Sequence, residues 1–223
     1  MSMHTIGPNS KTRLLDATLK VIRTKGYMAS TIDDICAAAG VTKGSFFHHF
    51  KGKVELALAA VEYWNSSTGG LFAGAPYQKI ADPRDRVLAY LDFRAALVQG
   101  DPPAFTCLLG TLVQETYASH PPIREACHQG ITQHAQTVAA DLAAAKALYA
   151  PDAGWDPQAL ALYTQAVIQG AFILAKAQDS ADIARTCIAQ LRSHVAGLLG
   201  AAGDASQPHQ ETTPCTTTMS TDS

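Results

Sequence analysis

Residues 31–53, TIDDICAAAGVTKGSFFHHFKGK, constrain the fold more than any other part of the chain. Thr31 stands where a helix N-cap is wanted, and Asp34 three positions on makes the pair a capping box with Asp in place of Glu. Ile32, Ile35, Cys36 and Ala39 recur at helical spacing and form one apolar face. Gly40 then supplies the residue that tolerates positive φ at a helix C-terminus. Val41 fills the corner, and Thr42 caps a second short helix. Phe46 and Phe50 lie four apart and pin that helix to a core, which leaves Lys43, Gly44, Ser45, Phe47, His48 and His49 around its tip and outer surface. A helix, a glycine turn and a helix with a polar tip is the arrangement that presents side chains to a DNA major groove.

The whole string resembles the DNA-binding signature of the TetR family of transcriptional regulators. The correspondence runs through Thr31, Ile35, Ala39, Gly40, Val41, Gly44, Phe46, Phe47, His49, Phe50, Lys51 and Lys53, and it extends over roughly residues 11–60. At the tip, Lys43 and Ser45 are placed to reach base edges, lysine favouring guanine O6 and N7, and His48 extends that surface. The resemblance implies that Thr31, Thr42, His49 and Lys53 hold phosphates, contacts that set register rather than sequence choice. Phe47 departs from the family's usual Tyr and removes a hydroxyl donor to phosphate. For Lys43 and Lys53 an ordinary exposed surface lysine is the competing reading.

Charge is distributed unevenly. Residues 1–64 hold eight Lys and Arg against five Asp and Glu, a net +3, and the remainder carries −5, so the total of −2 conceals a basic head on an acidic body. Residues 1–9 are polar and expected to be disordered, as is the Gly-, Ser-, Thr- and Pro-rich stretch 201–223. Between them, residues 10–66 form the expected DNA-binding domain and 75–200 a second helical domain, with Gly69-Gly70 and Gly74-Ala75-Pro76 as the break. Apolar stripes at helical spacing, opened by Asp82-Pro83 and Asp156-Pro157, recur through the second part, and no strand-like alternation is present. The fold class is all-α, about nine helices: a three-helix helix-turn-helix head followed by a helical ligand-binding and dimerisation domain, the latter role implied by the resemblance.

Within that second domain, Tyr90, Arg94, Phe105, Cys107, Gln114, Tyr117, His134, Tyr163 and Gln169 are the candidates for an effector pocket. Each aromatic among them serves equally as core filling. Cys107, near a helix start, reads either as an inert buried thiol or as one activated by the helix macrodipole for reaction with electrophiles. Two Ala- and Gly-rich stripes, Leu160, Tyr163, Val167, Gly170, Ala171 and Leu174, then Ile183, Cys187, Leu191, Val195 and Leu198, match the last two helices, which in the family pair across a twofold axis. Such a homodimer places two heads about one DNA turn or more apart and predicts a pseudo-palindromic operator.

The resemblance therefore implies a ligand-responsive, DNA-binding regulator with double-stranded operator DNA, a small-molecule effector and its own second copy as partners. An enzyme is the competing class. His48 and His49 are adjacent on a helix and point about 100° apart, so they do not converge. No phosphate loop, nucleophile elbow, metal-ligand spacing or cofactor motif accompanies them, and neither cofactor nor metal is expected. A helical interaction protein that does not bind DNA is the other alternative. Five cysteines, 36, 107, 127, 187 and 215, without metal-like spacing suit reduced thiols in a cytoplasm. The stretch Ala159–Ala177 is interrupted by Gln165, Gln169 and Lys176, and no membrane span is expected.

Overall fold

The computed structural model describes residues 9–200; Asn9 aside, the two termini expected to be disordered lie outside it. All regular structure among the described residues is helical. α1 (Ser10–Lys25), α2 (Ile32–Ala39), α3 (Lys43–His49) and α4 (Lys53–Ala73) come first. A 3-10 turn (Pro76–Lys79) leads to α5 (Pro83–Ala96), the single turn α6 (Pro102–Phe105), α7 (Leu108–Thr116), α8 (Pro121–Tyr149), α9 (Pro157–Gln178) and α10 (Asp182–Leu198).

Local chemistry explains the boundaries. The Asn9 side chain accepts from the Thr12 amide and caps α1. Both halves of the Thr31–Asp34 capping box form, and Gly40 closes α2 at φ 61°, left-handed backbone that a Cβ would strain. Asp82 and Asp156 cap α5 and α9, each with proline in the first turn. Pro121 and Pro122 likewise begin α8. Thr106 is extended and separates α6 from α7.

The largest revision concerns α4. Gly69 and Gly70 do not end it; the helix runs 21 residues to Ala73. Two helical glycines cost about 1 kcal/mol each relative to alanine, but packing beyond them offsets this. Phe72 is buried among the rings of Tyr90, Phe93 and His134. The break expected at 66–75 therefore falls inside a continuous helix.

Two cores are formed, and they do not divide at that break. Leu14, Ile22, Ile35, Phe46 and Leu56 fill the head, and the same cluster continues through Leu108 and Leu112 of α7 to Ile123 and Cys127 of α8. The second core holds Val87, Leu91, Leu142, Ile168, Ile188 and Val195, from a bundle of α5, α8, α9 and α10. α9 is long and apolar enough to cross a membrane by length and composition. Its inner side packs on α8 and α10, and Gln165 is buried within that packing.

Candidate functional site

The candidate reading tip is assembled at the start of α3. Thr42 Oγ1 accepts from the Ser45 amide at 3.2 Å, which leaves the hydroxyl proton free to donate outward. Gly44 has only Thr42 Oγ1 near its missing Cβ, so the backbone there can be approached closely. Lys43 and His48 are exposed and Ser45 is half-exposed. Lys43 Nζ pairs with Asp33 at 2.7 Å, and this carboxylate raises the lysine pKa. Phe47 is 56% exposed and stands edge-on to the buried Phe46 ring.

The proposed phosphate ligands are held differently from one another. Thr31 is committed to its cap: its amide and hydroxyl both donate to Asp34, whose carboxyl is held far below its ordinary range first by Lys25 and then by Thr31. His49 Nε2 lies 2.7 Å from Ser10 Oγ, which ties α3 to the first residue of α1. Lys53 does not extend outward. Its ammonium sits 4.2 Å above the Tyr27 ring, and burial lowers its pKa while Glu115 opposes that shift. Glu115 also accepts from the Met28 amide, so Lys53 and Glu115 belong to a seam between the head and α7.

A cavity of about 200 Å³ lies where that seam continues. Arg94, Phe105, Cys107, His134 and Gln169 line it, as the sequence suggested. Tyr90 stands behind the wall: Gln165 donates to its hydroxyl at 3.3 Å, and the hydroxyl lies 3.0 Å from His134 Nε2. A phenol that accepts from Gln165 donates its own proton to that nitrogen, which suits a neutral imidazole. Burial, with the Arg94 charge second, lowers the His134 pKa to about 4. Three candidates lie elsewhere. Gln114 folds back onto the Gly110 carbonyl and borders a shallow hollow beside Lys176. Tyr117 and Tyr163 are 62% and 48% exposed, and neither lines the cavity.

Sequence reasoning missed Arg23, Trp64, Asn65, Thr68, Gly130 and Gln165, all in the lining. Arg23 donates from α1 to the Ala104 carbonyl at 3.2 Å and stacks over Trp64. Burial lowers its pKa, with Cys107 acting in the opposite sense. The line Trp64, Asn65, Thr68, Phe72 was a usable signal, since those spacings place four side chains on one face of a helix. Gly130 leaves room for Asn65, because a Cβ there would meet the Asn65 carboxamide at 2.6 Å.

The two stripes offered for pairing are divided between core and surface. Leu160, Ala171, Leu191 and Val195 are buried in the chain's own core, so they present nothing outward. Val167, Gly170, Ile183, Cys187 and Leu198 are partly exposed, and Tyr163 and Leu174 are exposed. Leu162 and Ile173, both 50% exposed, extend this outer apolar face of α9 and were not among the candidates.

Comparison with known proteins gives two family matches. Residues 14–60 match the family model described as bacterial regulatory proteins, tetR family. Residues 83–190 match that of the LmrA/YxaF-like transcriptional regulator C-terminal domain. The transcriptional regulator AcuR of Cereibacter sphaeroides is 28% identical over 169 residues, 76% of this chain and 77% of AcuR. YerO of Bacillus subtilis, an HTH-type transcriptional regulator, is 39% identical over 54 residues, 24% of this chain and only 19% of YerO. Among solved structures, the regulatory protein TetR from Rhodobacter sphaeroides superposes with a TM-score of 0.74 at 26% identity, covering 83% of this chain and 98% of that one.

Proposed function

Because the chain belongs to the TetR family of transcriptional regulators, we propose that it is a cytoplasmic homodimeric repressor, released from a pseudo-palindromic operator by a small molecule. The observation that carries this reading is Arg23. It belongs to the first helix of the head, yet its guanidinium lines the cavity and donates to the α6–α7 segment. A molecule entering the cavity thus meets a side chain anchored to the DNA-binding part.

The mechanism is a population shift. Two arrangements of head against body differ in how the cavity is shaped and in how far apart the two heads stand. An effector that prefers the arrangement unsuited to DNA lowers operator affinity by its differential binding free energy. Lys43, Ser45 and His48 read bases, while Thr42 and the Gly44 backbone meet phosphates. The outer apolar faces of α9 and α10 pair with their twofold mates, and the dimer reads two half-sites.

Selection of genomic fragments by the purified protein at two salt concentrations tests this. Recovery of one short pseudo-palindrome at both salts is expected. Binding that weakens with salt and yields no motif would remove the regulator reading and leave the helix-turn-helix as structural only.

Cys107 supports a second version, in which the effector is an electrophile. It stands at the N-cap position of α7 without a side-chain capping bond, lines the cavity and is partly accessible. Loss of response to thiol-reactive inducers in Cys107→Ser, with operator binding kept, is the expected result; an unchanged response excludes it.

A further inference from the structure

Two guanidinium groups, those of Arg23 and Arg94, line the cavity, and no Asp or Glu does. Their situations differ. Arg23 is occupied by the Leu19 and Ala104 carbonyls and by the Trp64 ring. Arg94 rests over the Phe72 ring at 5.3 Å, and among the described residues it has neither a carboxylate partner nor a hydrogen-bond acceptor. The carboxylates on neighbouring elements are taken: Asp92 by Arg192 at 2.6 Å and Asp141 by Arg86 at 2.9 Å. Arg94 is therefore a forked donor without a counter-ion among the described residues, in a lining that includes the Phe72, Phe105 and Phe172 rings beside neutral polar groups such as Asn65 and Gln169.

We propose that this cavity binds a small organic monocarboxylate, its carboxylate held by the Arg94 guanidinium and its apolar body packed against Phe72, Phe105 and Phe172. The proposal rests on the reading of the chain as an effector-responsive regulator and names the chemical class of the effector. The planar guanidinium matches a carboxylate with two parallel N–H···O bonds. Size limits the rest of the ligand. A cavity of about 150 Å³ takes benzene, so 200 Å³ suits a benzoate-sized or short-chain acid. A dianionic phosphate would bring a second charge into an aromatic enclosure at a larger desolvation cost. The Asn65 and Gln169 carboxamides offer further donors in the lining, whereas the Thr68 hydroxyl already donates to the Trp64 carbonyl.

Calorimetric titration of the purified full chain with benzoate, phenylacetate, propionate and butyrate, each against its neutral amide, tests the proposal. At least one acid is expected to bind, at least about tenfold more tightly than its amide, as a charge-assisted pair requires. Arg94→Gln should abolish this preference, and Arg94→Lys should weaken binding while still favouring the acid. If Arg94→Gln does not fold by its melting curve, the wild type and Arg94→Lys decide. No binding by any of the four acids, equal binding of acid and amide, or an unchanged preference in a folded Arg94→Gln overturns the proposal. The titration contains no DNA, so its failure is distinct from the absence of an operator motif.

Discussion

Lys43 Nζ lies 2.7 Å from Asp33 Oδ1, so a cation at the reading tip is neutralised in the free protein by an acid of the helix before it. In the proposed reading, DNA competes with that acid for the lysine. Asp33→Asn should raise operator affinity several-fold and steepen its salt dependence. Lys43→Ala should cost about 1–3 kcal/mol if the lysine reads a base, or reduce the salt slope by about one if it holds a phosphate. Both side chains are more than half exposed, so melting temperatures should barely move. Fluorescence anisotropy at several salt concentrations separates the two outcomes.

His134 makes stability depend on pH. Its folded pKa, about 4, lies below the ordinary 6.5 because burial, and then Arg94, disfavour the imidazolium. A depressed histidine contributes stability that is complete above the unfolded value and is lost as pH falls from about 6.5 towards 4. The shift corresponds to about 3 kcal/mol. Urea melts across that range should show the loss, and His134→Asn should flatten it. Arg94→Gln should raise the His134 pKa in an NMR titration.

Arg23 should matter more for communication than for DNA binding. Arg23→Ala removes its bonds to the Leu19 and Ala104 carbonyls and its stacking on Trp64. A loss of about 1–3 kcal/mol in urea melts is expected. Operator affinity without effector should change little, while the drop caused by effector should shrink. Titrating a labelled operator complex with effector measures this.

Association should follow the outer rather than the inner side of α9. Leu162→Glu and Ile173→Glu alter residues that are half exposed and should give monomers by sedimentation, with weakened operator binding. Leu160→Ala empties a buried site and should instead cost about 2–5 kcal/mol of stability while leaving association intact.

Gly40 is a position in the head where a side chain is poorly tolerated. Gly40→Ala meets both left-handed backbone and the Arg13 guanidinium, which lies 2.7 Å from where a Cβ would stand. A destabilisation of about 1–2 kcal/mol from the backbone alone is expected, readable by thermal melting. Arg13 also donates to the Gly40 carbonyl, so displacing it loosens α1 from the turn.

The head was legible because its signals act over a few residues. Thr31, Gly40 and Thr42 each fix a helix end through their own neighbours, and Phe46 follows from spacing alone. The cavity depends on which helix lies beside which. Periodicity placed Arg94, His134 and Gln169 on helices but could not distinguish them from Tyr163, which faces outward. Arg23 and Trp64 belong to elements read as head, so nothing in their own stretch indicated a role in the body. Lys53 is a similar case. Its motif position implies phosphate, but its direction depends on Tyr27 and on Glu115, far along the chain.

α4 carries a consequence for grafting. Its first half packs the head through Leu56 and Ala60, and its far end anchors Phe72 in the body. A chimera joining this head to another body must therefore be spliced within one uninterrupted screw. One residue inserted between Ser66 and Gly70 would turn the head by about 100° and advance it by about 1.5 Å. In the proposed dimer, heads so altered would face their half-sites out of phase. Joints that keep the helical phase are the ones that should transmit a foreign signal to this operator.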